Sequence, residues 1–225
     1  MDKALASGAS HTRSTRVRRA NFIMKYDVII FDLGRVVVDF DYNMPAEKIK
    51  RRFGLDKRKI HDLFFDSRIT RLHDEGRLSS REFYDRVKKM LDIDMSFSEF
   101  KKCWNDIFFE NKQVGKLVRR LKKIYKVYLL SNTNKLHFDF IKKKFSIIKQ
   151  FDKLILSYKI GKIKPHPAIY KYALRLANCS PQGAIYIDDR PELVEGARRL
   201  GINTILFKNI SALKKELRSL GVLIK

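Results

Sequence analysis

Cysteine, acidic residues and long apolar runs are all scarce in this chain. There are two cysteines, Cys103 and Cys179, far apart and in no CxxC pattern. That argues against a disulfide framework or a paired-thiol centre, and makes a reduced, cytosolic (cytoplasmic) protein the expectation. No stretch approaches the roughly 20 apolar residues that a membrane span needs, so no membrane partner is expected. Aspartate and glutamate number 25 against 49 lysines and arginines, a formal charge of +24. The first 25 residues carry +5 of that charge and the remainder +19, so the basicity is not confined to a tail. Such a field attracts anions, whether phosphorylated metabolites, nucleic acid or an acidic surface. No nucleic-acid-binding signature and no stacking aromatic motif accompanies it, and the bases are spread over the whole chain.

What is present suits a folded domain. The 225 residues, 44% of them hydrophobic, can build one sizeable core with a smaller inserted domain. Residues 1–23 are the exception: rich in Ser, Ala, Arg and Thr and without periodicity, they read as a disordered basic leader. They contain no apolar h-region and so do not read as a secretory signal. Met24 stands where a compact domain would begin.

"YDVIIF" is a continuous apolar run of strand length, the pattern of a strand buried on both faces of a parallel sheet. Comparable runs are "KVYLL" (126–130), "KLIL" (153–156), "AIYI" (184–187) and "NTILF" (203–207), with helical patterns between them. Alternating strands and helices predict an α/β fold around a parallel sheet. Between the first and second runs lie about seventy residues that read as helices. Ser79 with Glu82, and Ser96 with Glu99, are capping-box pairs. Phe83, Val87, Met90 and Leu91 form one apolar stripe, and Phe97, Phe100, Trp104 and Phe108 another. The expected organisation is an α/β core from residues 24–42 and 113–225, with a helical insertion at 43–112 placed over the strand ends, where ligands bind in open α/β sheets.

Polar residues stand at the ends of the predicted strands. Asp32 closes the first and Ser131 the second, Lys164 lies in the loop after the third, and Asp188 and Asp189 close the fourth. Parallel strands end on one edge, so these side chains converge although they are distant in sequence. Adjacent acids there would repel each other without a counter-ion.

In their order and setting, "FDLGRVVVDFD", "LLSNTN", "GKIKPHPAIY" and "IYIDDRPELVEGARRLG" resemble the motifs of the haloacid dehalogenase-like hydrolase superfamily. The resemblance covers about residues 26–210, and "HDEGRLSSREFYDRV" is similar to the cap of its helical-cap subgroup. That subgroup includes sugar-phosphate phosphatases and relatives of the epoxide hydrolase N-terminal domain. The resemblance implies a Rossmann-like core with an all-helical cap, and a Mg²⁺-dependent phosphatase acting on a small phosphorylated metabolite, a sugar phosphate first among them. Asp32 would be the nucleophile that forms an aspartyl-phosphate. Ser131 and the Asn132 N–H would bind phosphoryl oxygens, and Lys164 would balance their charge. Asp32, the Gly34 carbonyl, Asp188 and Asp189 would hold the metal.

Gly34 is a departure. The superfamily's phosphatases usually carry an aspartate there, the general acid and base. Its loss forgoes ~10² to 10⁴-fold in rate, or roughly 3 to 5 kcal/mol of barrier, and the expectation is a preference for good leaving groups. Asp39 and Asp41 could substitute only if the chain folds back. His73 reads as a packing or surface residue, and His166 stands where the family often has an acid. Arg35 either touches substrate or points away. Two alternatives stay open: a metal-free haloacid dehalogenase-type hydrolase, and a basic nucleic-acid-binding protein on the same scaffold.

Overall fold

The computed structural model describes residues 25–41, 43–54, 58 and 67–224. The expected leader, residues 1–23, and part of the helical insertion lie outside the described residues. At the centre is a five-stranded sheet: β1 (Val28–Phe31), β4 (Lys126–Ser131), β5 (Lys153–Leu156), β6 (Ala184–Asp188) and β7 (Asn203–Leu206). All its pairings are parallel and the order is β5-β4-β1-β6-β7. The apolar runs of the sequence are these strands, to within two residues at each end.

Every residue of β1 is buried, and alternation decides where each goes. Ile29 and Phe31 enter one core, Val28 and Ile30 the other. The first core is closed by α5 (Lys112–Leu121), α6 (Lys135–Lys144) and α10 (Ile210–Ser219), through residues such as Leu117, Ile141 and Leu213. The second is closed by α8 (Pro167–Ala177) and α9 (Pro191–Arg198), through Ile169, Ala173 and Ala197. Both α8 and α9 open on a proline in the first turn, where its missing N–H costs nothing. His166 caps α8, its Nδ1 accepting from the Ala168 N–H at 3.1 Å. The chain runs outward from β1 through β4 and β5, then returns to the other side of β1 for β6. The switch point, the usual place for a ligand, therefore falls at the carboxyl end of β1.

The insertion contributes α1 (Asn43–Phe53), α2 (Arg68–Asp74), α3 (Ser80–Leu91) and α4 (Phe97–Asn105). Helices α3 and α4 begin with complete capping boxes, Ser79 with Glu82 and Ser96 with Glu99. Phe83, Val87, Leu91, Phe100 and Trp104 pack into a third apolar cluster. Two members of the expected stripes lie elsewhere. Met90 is 59% exposed, and Phe108 belongs to a strand. That strand, β3 (Phe108–Glu110), pairs antiparallel with β2 (Val38–Phe40). At three residues each they are too short for periodicity to announce, and together they form a ribbon through which the chain both enters and leaves the insertion.

Candidate active site

The register of the sheet brings the first two acids together. Phe31 pairs with Ile187, so the next residues, Asp32 and Asp188, stand side by side. The Asp32 N–H donates to the Ile187 carbonyl at 2.8 Å. Lys164 reaches between them from the loop after β5. Its Nζ donates to Asp32 Oδ1 at 2.6 Å, to Asp188 Oδ2 at 2.7 Å and to the Leu130 carbonyl at 3.2 Å. All three side chains are buried. A buried ion group this close is held by mutual need: removing one charge leaves the others unpaired. Burial pushes the Asp32 carboxyl up to about 7, Lys164 opposes that and Asp188 adds to it. Burial pulls Lys164 down, but the two carboxylates outweigh it and hold the ammonium above its usual range.

Two further hydrogen bonds fix Asp188, and one of their donors also packs against Lys164. Tyr186, two residues earlier on the same face of β6, donates its hydroxyl to Oδ2, the Arg190 N–H donates to Oδ1 at 2.9 Å, and the Tyr186 ring lies 5.6 Å from Lys164 Nζ. Asp189 completes the acidic group. Carboxylate oxygens of Asp32, Asp188 and Asp189 lie within 4.8 Å of one another. Three carboxylates against one ammonium leave excess negative charge, and an all-oxygen donor set with that excess suits a hard divalent cation such as Mg²⁺.

Ser131 ends β4 and is buried, its Oγ 3.3 Å from the Asn132 carbonyl. The Asn132 side chain does something the sequence did not announce: it clamps the lysine loop. Its Oδ1 accepts the Lys164 N–H at 2.7 Å, and its Nδ2 donates to the Lys164 carbonyl at 3.0 Å. Asp32, Gly34, Asn132, Lys164 and Asp189 line one cavity of about 870 Å³. Its far wall is built from the insertion and α6, with Arg68, Arg71, Asp74, Trp104 and His137. That size suits a small-molecule site.

The loop after Asp32 turns back on itself. The Val37 and Val38 N–H groups both donate to the Leu33 carbonyl, at 2.9 and 2.8 Å, and Arg35 takes a left-handed backbone with φ of 59°. The turn does bring Asp39 back, but outward, where it pairs with Arg35 at 2.9 Å. Asp41 accepts the Asn43 N–H at 2.8 Å. Neither acid lines the cavity. What returns to Gly34 is Phe40. A Cβ on Gly34 would lie 2.9 Å from Phe40 Cε1. The place of a side chain at position 34 is thus taken by an aromatic ring, over which the Arg35 guanidinium lies at 4.4 Å.

Of the histidines, His73 is buried and stacked on Phe83 with ring centroids 4.3 Å apart. Asp74 beside it lies within "HDEGRLSSREFYDRV" and Tyr186 within "IYIDDRPELVEGARRLG", but neither stood out there as a site residue, and His137 lies in no such motif. Their positions depend on tertiary packing rather than on spacing.

A family profile described as haloacid dehalogenase-like hydrolase matches residues 25–207. The chain is 28% identical over 197 residues to D-ribitol-5-phosphate phosphatase of Bacteroides thetaiotaomicron, covering 84% of this chain and 95% of that protein. Among solved structures it is similar to a HAD family enzyme of the same organism in complex with magnesium and inorganic phosphate, at a TM-score of 0.74 and 28% identity over 81% of this chain and 94% of that one. A predicted HAD-like hydrolase from Porphyromonas gingivalis shares the fold at a TM-score of 0.76 and 24% identity, covering 87% of this chain and 99% of that one.

Proposed function

From the premise that the chain belongs to the haloacid dehalogenase-like hydrolase family, we propose that it is a Mg²⁺-dependent phosphatase of a small phosphorylated metabolite, working through an aspartyl-phosphate on Asp32. The observation that carries this reading is the buried Asp32–Lys164–Asp188 group with Asp189 beside it. Asp32 attacks phosphorus and becomes phosphorylated, and water then releases phosphate and restores the carboxylate. Lys164 supplies the positive charge that lets a dianionic phosphoryl group approach a carboxylate in a dry cleft. Ser131 and the Asn132 N–H bind the phosphoryl oxygens, and the Asn132 side chain keeps Lys164 in place. The ion would be held by Asp32, the Gly34 carbonyl, Asp188 and Asp189. When bound it adds positive charge at the transferring group.

Residues 24–42 and 113–225 form the catalytic core in this reading, and residues 43–112 the cap that reads the substrate. A sugar or polyol phosphate is the favoured class. The cavity of about 870 Å³ has room for one, and arginines, Asp74 and Asn134 on its wall can pair with hydroxyl groups. The named activity of the Bacteroides thetaiotaomicron relative points the same way. A metal-free dehalogenase has no use for the acidic group at Asp188 and Asp189.

The test is a phosphate-release screen over sugar, polyol and nucleoside monophosphates, with Mg²⁺ and with EDTA. Turnover should require the metal and vanish in Asp32→Asn. Equal turnover by that variant would sink the nucleophile assignment, and metal-independent turnover the cofactor assignment.

A further inference from the structure

Phosphoryl transfer to Asp32 expels an alkoxide, which needs a proton, and Gly34 cannot give one. Several groups lining the cavity are ionisable, and most are excluded as donors. Asp32 is the attacking group, and Asp189 belongs to the metal cluster. Lys164 is fully engaged with two carboxylates. The four arginines, at 35, 68, 71 and 190, do not deprotonate in proteins. His137 is locked neutral: its Nε2 lies 3.2 Å from the Trp104 carbonyl, its Nδ1 3.4 Å from Asn134 Nδ2, and burial pushes its pKa down to about 3.

Asp74 is left. It sits at the last turn of α2 and is tied to the core at two points. Asn134 Nδ2 donates to its Oδ1 at 3.0 Å, and Ser157 Oγ donates to its carbonyl at 2.6 Å. Both partners connect to the loop that begins at Ser131, Asn134 as part of it and Ser157, the first residue of α7 (Ser157–Ile160), by contact with it. Asn134 lies three residues on, and Ser157 Oγ also accepts the Thr133 N–H at 2.9 Å. Asp74 is therefore held in fixed relation to the segment assigned to the phosphoryl oxygens. Among the described residues its Oδ2 takes no hydrogen bond, and the side chain lines the cavity.

Building on the phosphatase reading above, we propose that Asp74 is the general acid and base of this enzyme, supplied from the insertion in place of the acid absent at position 34. In the first step Asp32 Oδ bonds to phosphorus, the phosphorus–oxygen ester bond breaks, and the Asp74 carboxyl proton passes to the departing oxygen, giving an alcohol. In the second step the Asp74 carboxylate takes a proton from water. The hydroxyl oxygen bonds to phosphorus, the acyl-phosphate bond breaks, and phosphate leaves with Asp32 restored. Burial pushes the Asp74 carboxyl up to about 6, against the pull of the Asn134 amide and with a smaller push from Glu75. A donor near the working pH is the effective kind. The strong leaving-group preference expected from Gly34 alone is replaced by a weak one.

The test uses the full chain with Mg²⁺ and three substrates: p-nitrophenyl phosphate, phenyl phosphate and a polyol phosphate. Asp74→Asn keeps an acceptor for Asn134 but has no proton it can transfer. It should lower kcat/KM for the polyol phosphate by ~10² to 10⁴-fold, and for p-nitrophenyl phosphate by about tenfold or less. Losses of equal size on all three substrates would make Asp74 a packing residue and overturn the proposal, as would no loss. The wild-type enzyme gives a second measurement that needs no variant. A shallow dependence of kcat/KM on leaving-group pKa supports the acid, and a steep one overturns it. If wild type turned over none of the substrates, the phosphatase reading would fall and this proposal with it. If only Asp32→Asn lost activity uniformly, that reading would stand and this one would not.

Discussion

Gly34→Asp is the substitution that restores the superfamily's usual residue, and the structure predicts that it fails when made alone. The backbone at position 34 is not left-handed, so a side chain is not excluded by conformation. The obstacle is a single ring. A Cβ would lie 2.9 Å from Phe40 Cε1, with two further ring atoms at 3.7 and 3.8 Å, and the carboxyl group needs more room still. Phe40 cannot simply step aside. It meets Phe108 across the β2–β3 ribbon, centroids 6.2 Å apart at 77°, and lies under Arg35. Forcing extra atoms into such packing costs about 1–3 kcal/mol, which for a chain of this size is a fall in Tm of roughly 2 to 12 °C. Phe40→Ala alone loses the edge-to-face and cation–π contacts, again about 1–3 kcal/mol. If the clash is the cause, the double variant recovers most of the first loss, with a coupling energy of about 1–3 kcal/mol in a double-mutant cycle. Thermal or urea melting of the four proteins measures it. Additive losses, or a Gly34→Asp protein as stable as wild type, would refute the reasoning.

Other perturbations follow from buried groups and tight contacts. His73→Phe should stabilise by about 1–2 kcal/mol, because both ring nitrogens of His73 are buried without a hydrogen-bond partner among the described residues. Burial lowers its pKa from 6.5 to about 4, so the unfolded chain binds the proton more readily in that window and wild type loses stability as pH falls from 6.5 towards 4. The advantage of the variant should therefore widen on acidification, and denaturant melts at pH 7 and pH 5 would show a constant gap if this were wrong. Gly76→Ala should cost roughly 2–4 kcal/mol through left-handed strain and overpacking. Gly76 has φ of +70°, and a Cβ there would lie 2.1 Å from the Tyr158 carbonyl oxygen. A Tm within a degree of wild type would contradict that account.

Much of the core was legible in the sequence for one physical reason. Strands buried on both faces leave unbroken apolar runs, and the polar residues proposed for the site stand where those runs stop. Asp32, Ser131 and Asp188 could be found that way. The capping boxes at Ser79 and Ser96 were legible because they are local. Phe40 was not, because its importance arises only when the turn after Arg35 folds it against Gly34. Asp74 was hidden in the same way. Its neighbours Asn134 and Ser157 lie 60 and 83 residues away in the chain. The short strands β2 and β3 escaped because three residues carry no period. Lys164 was found by motif alone, since a loop lysine is ordinarily solvated.

The ion group at the sheet centre also sets an order of events in synthesis. Asp32 and Lys164 are 132 residues apart, and Asp188 follows Lys164 by 24 more. A ribosome-bound chain presents Asp32 long before Lys164 has been made. Until the loop after β5 has docked with Lys164 against Asp32, that carboxylate lacks the cation that pairs with it in the folded sheet, and until β6 lies beside β1 that cation lacks its second carboxylate. The Asp32–Lys164–Asp188 group is therefore a property of the finished sheet, since no short contiguous segment of the chain contains it.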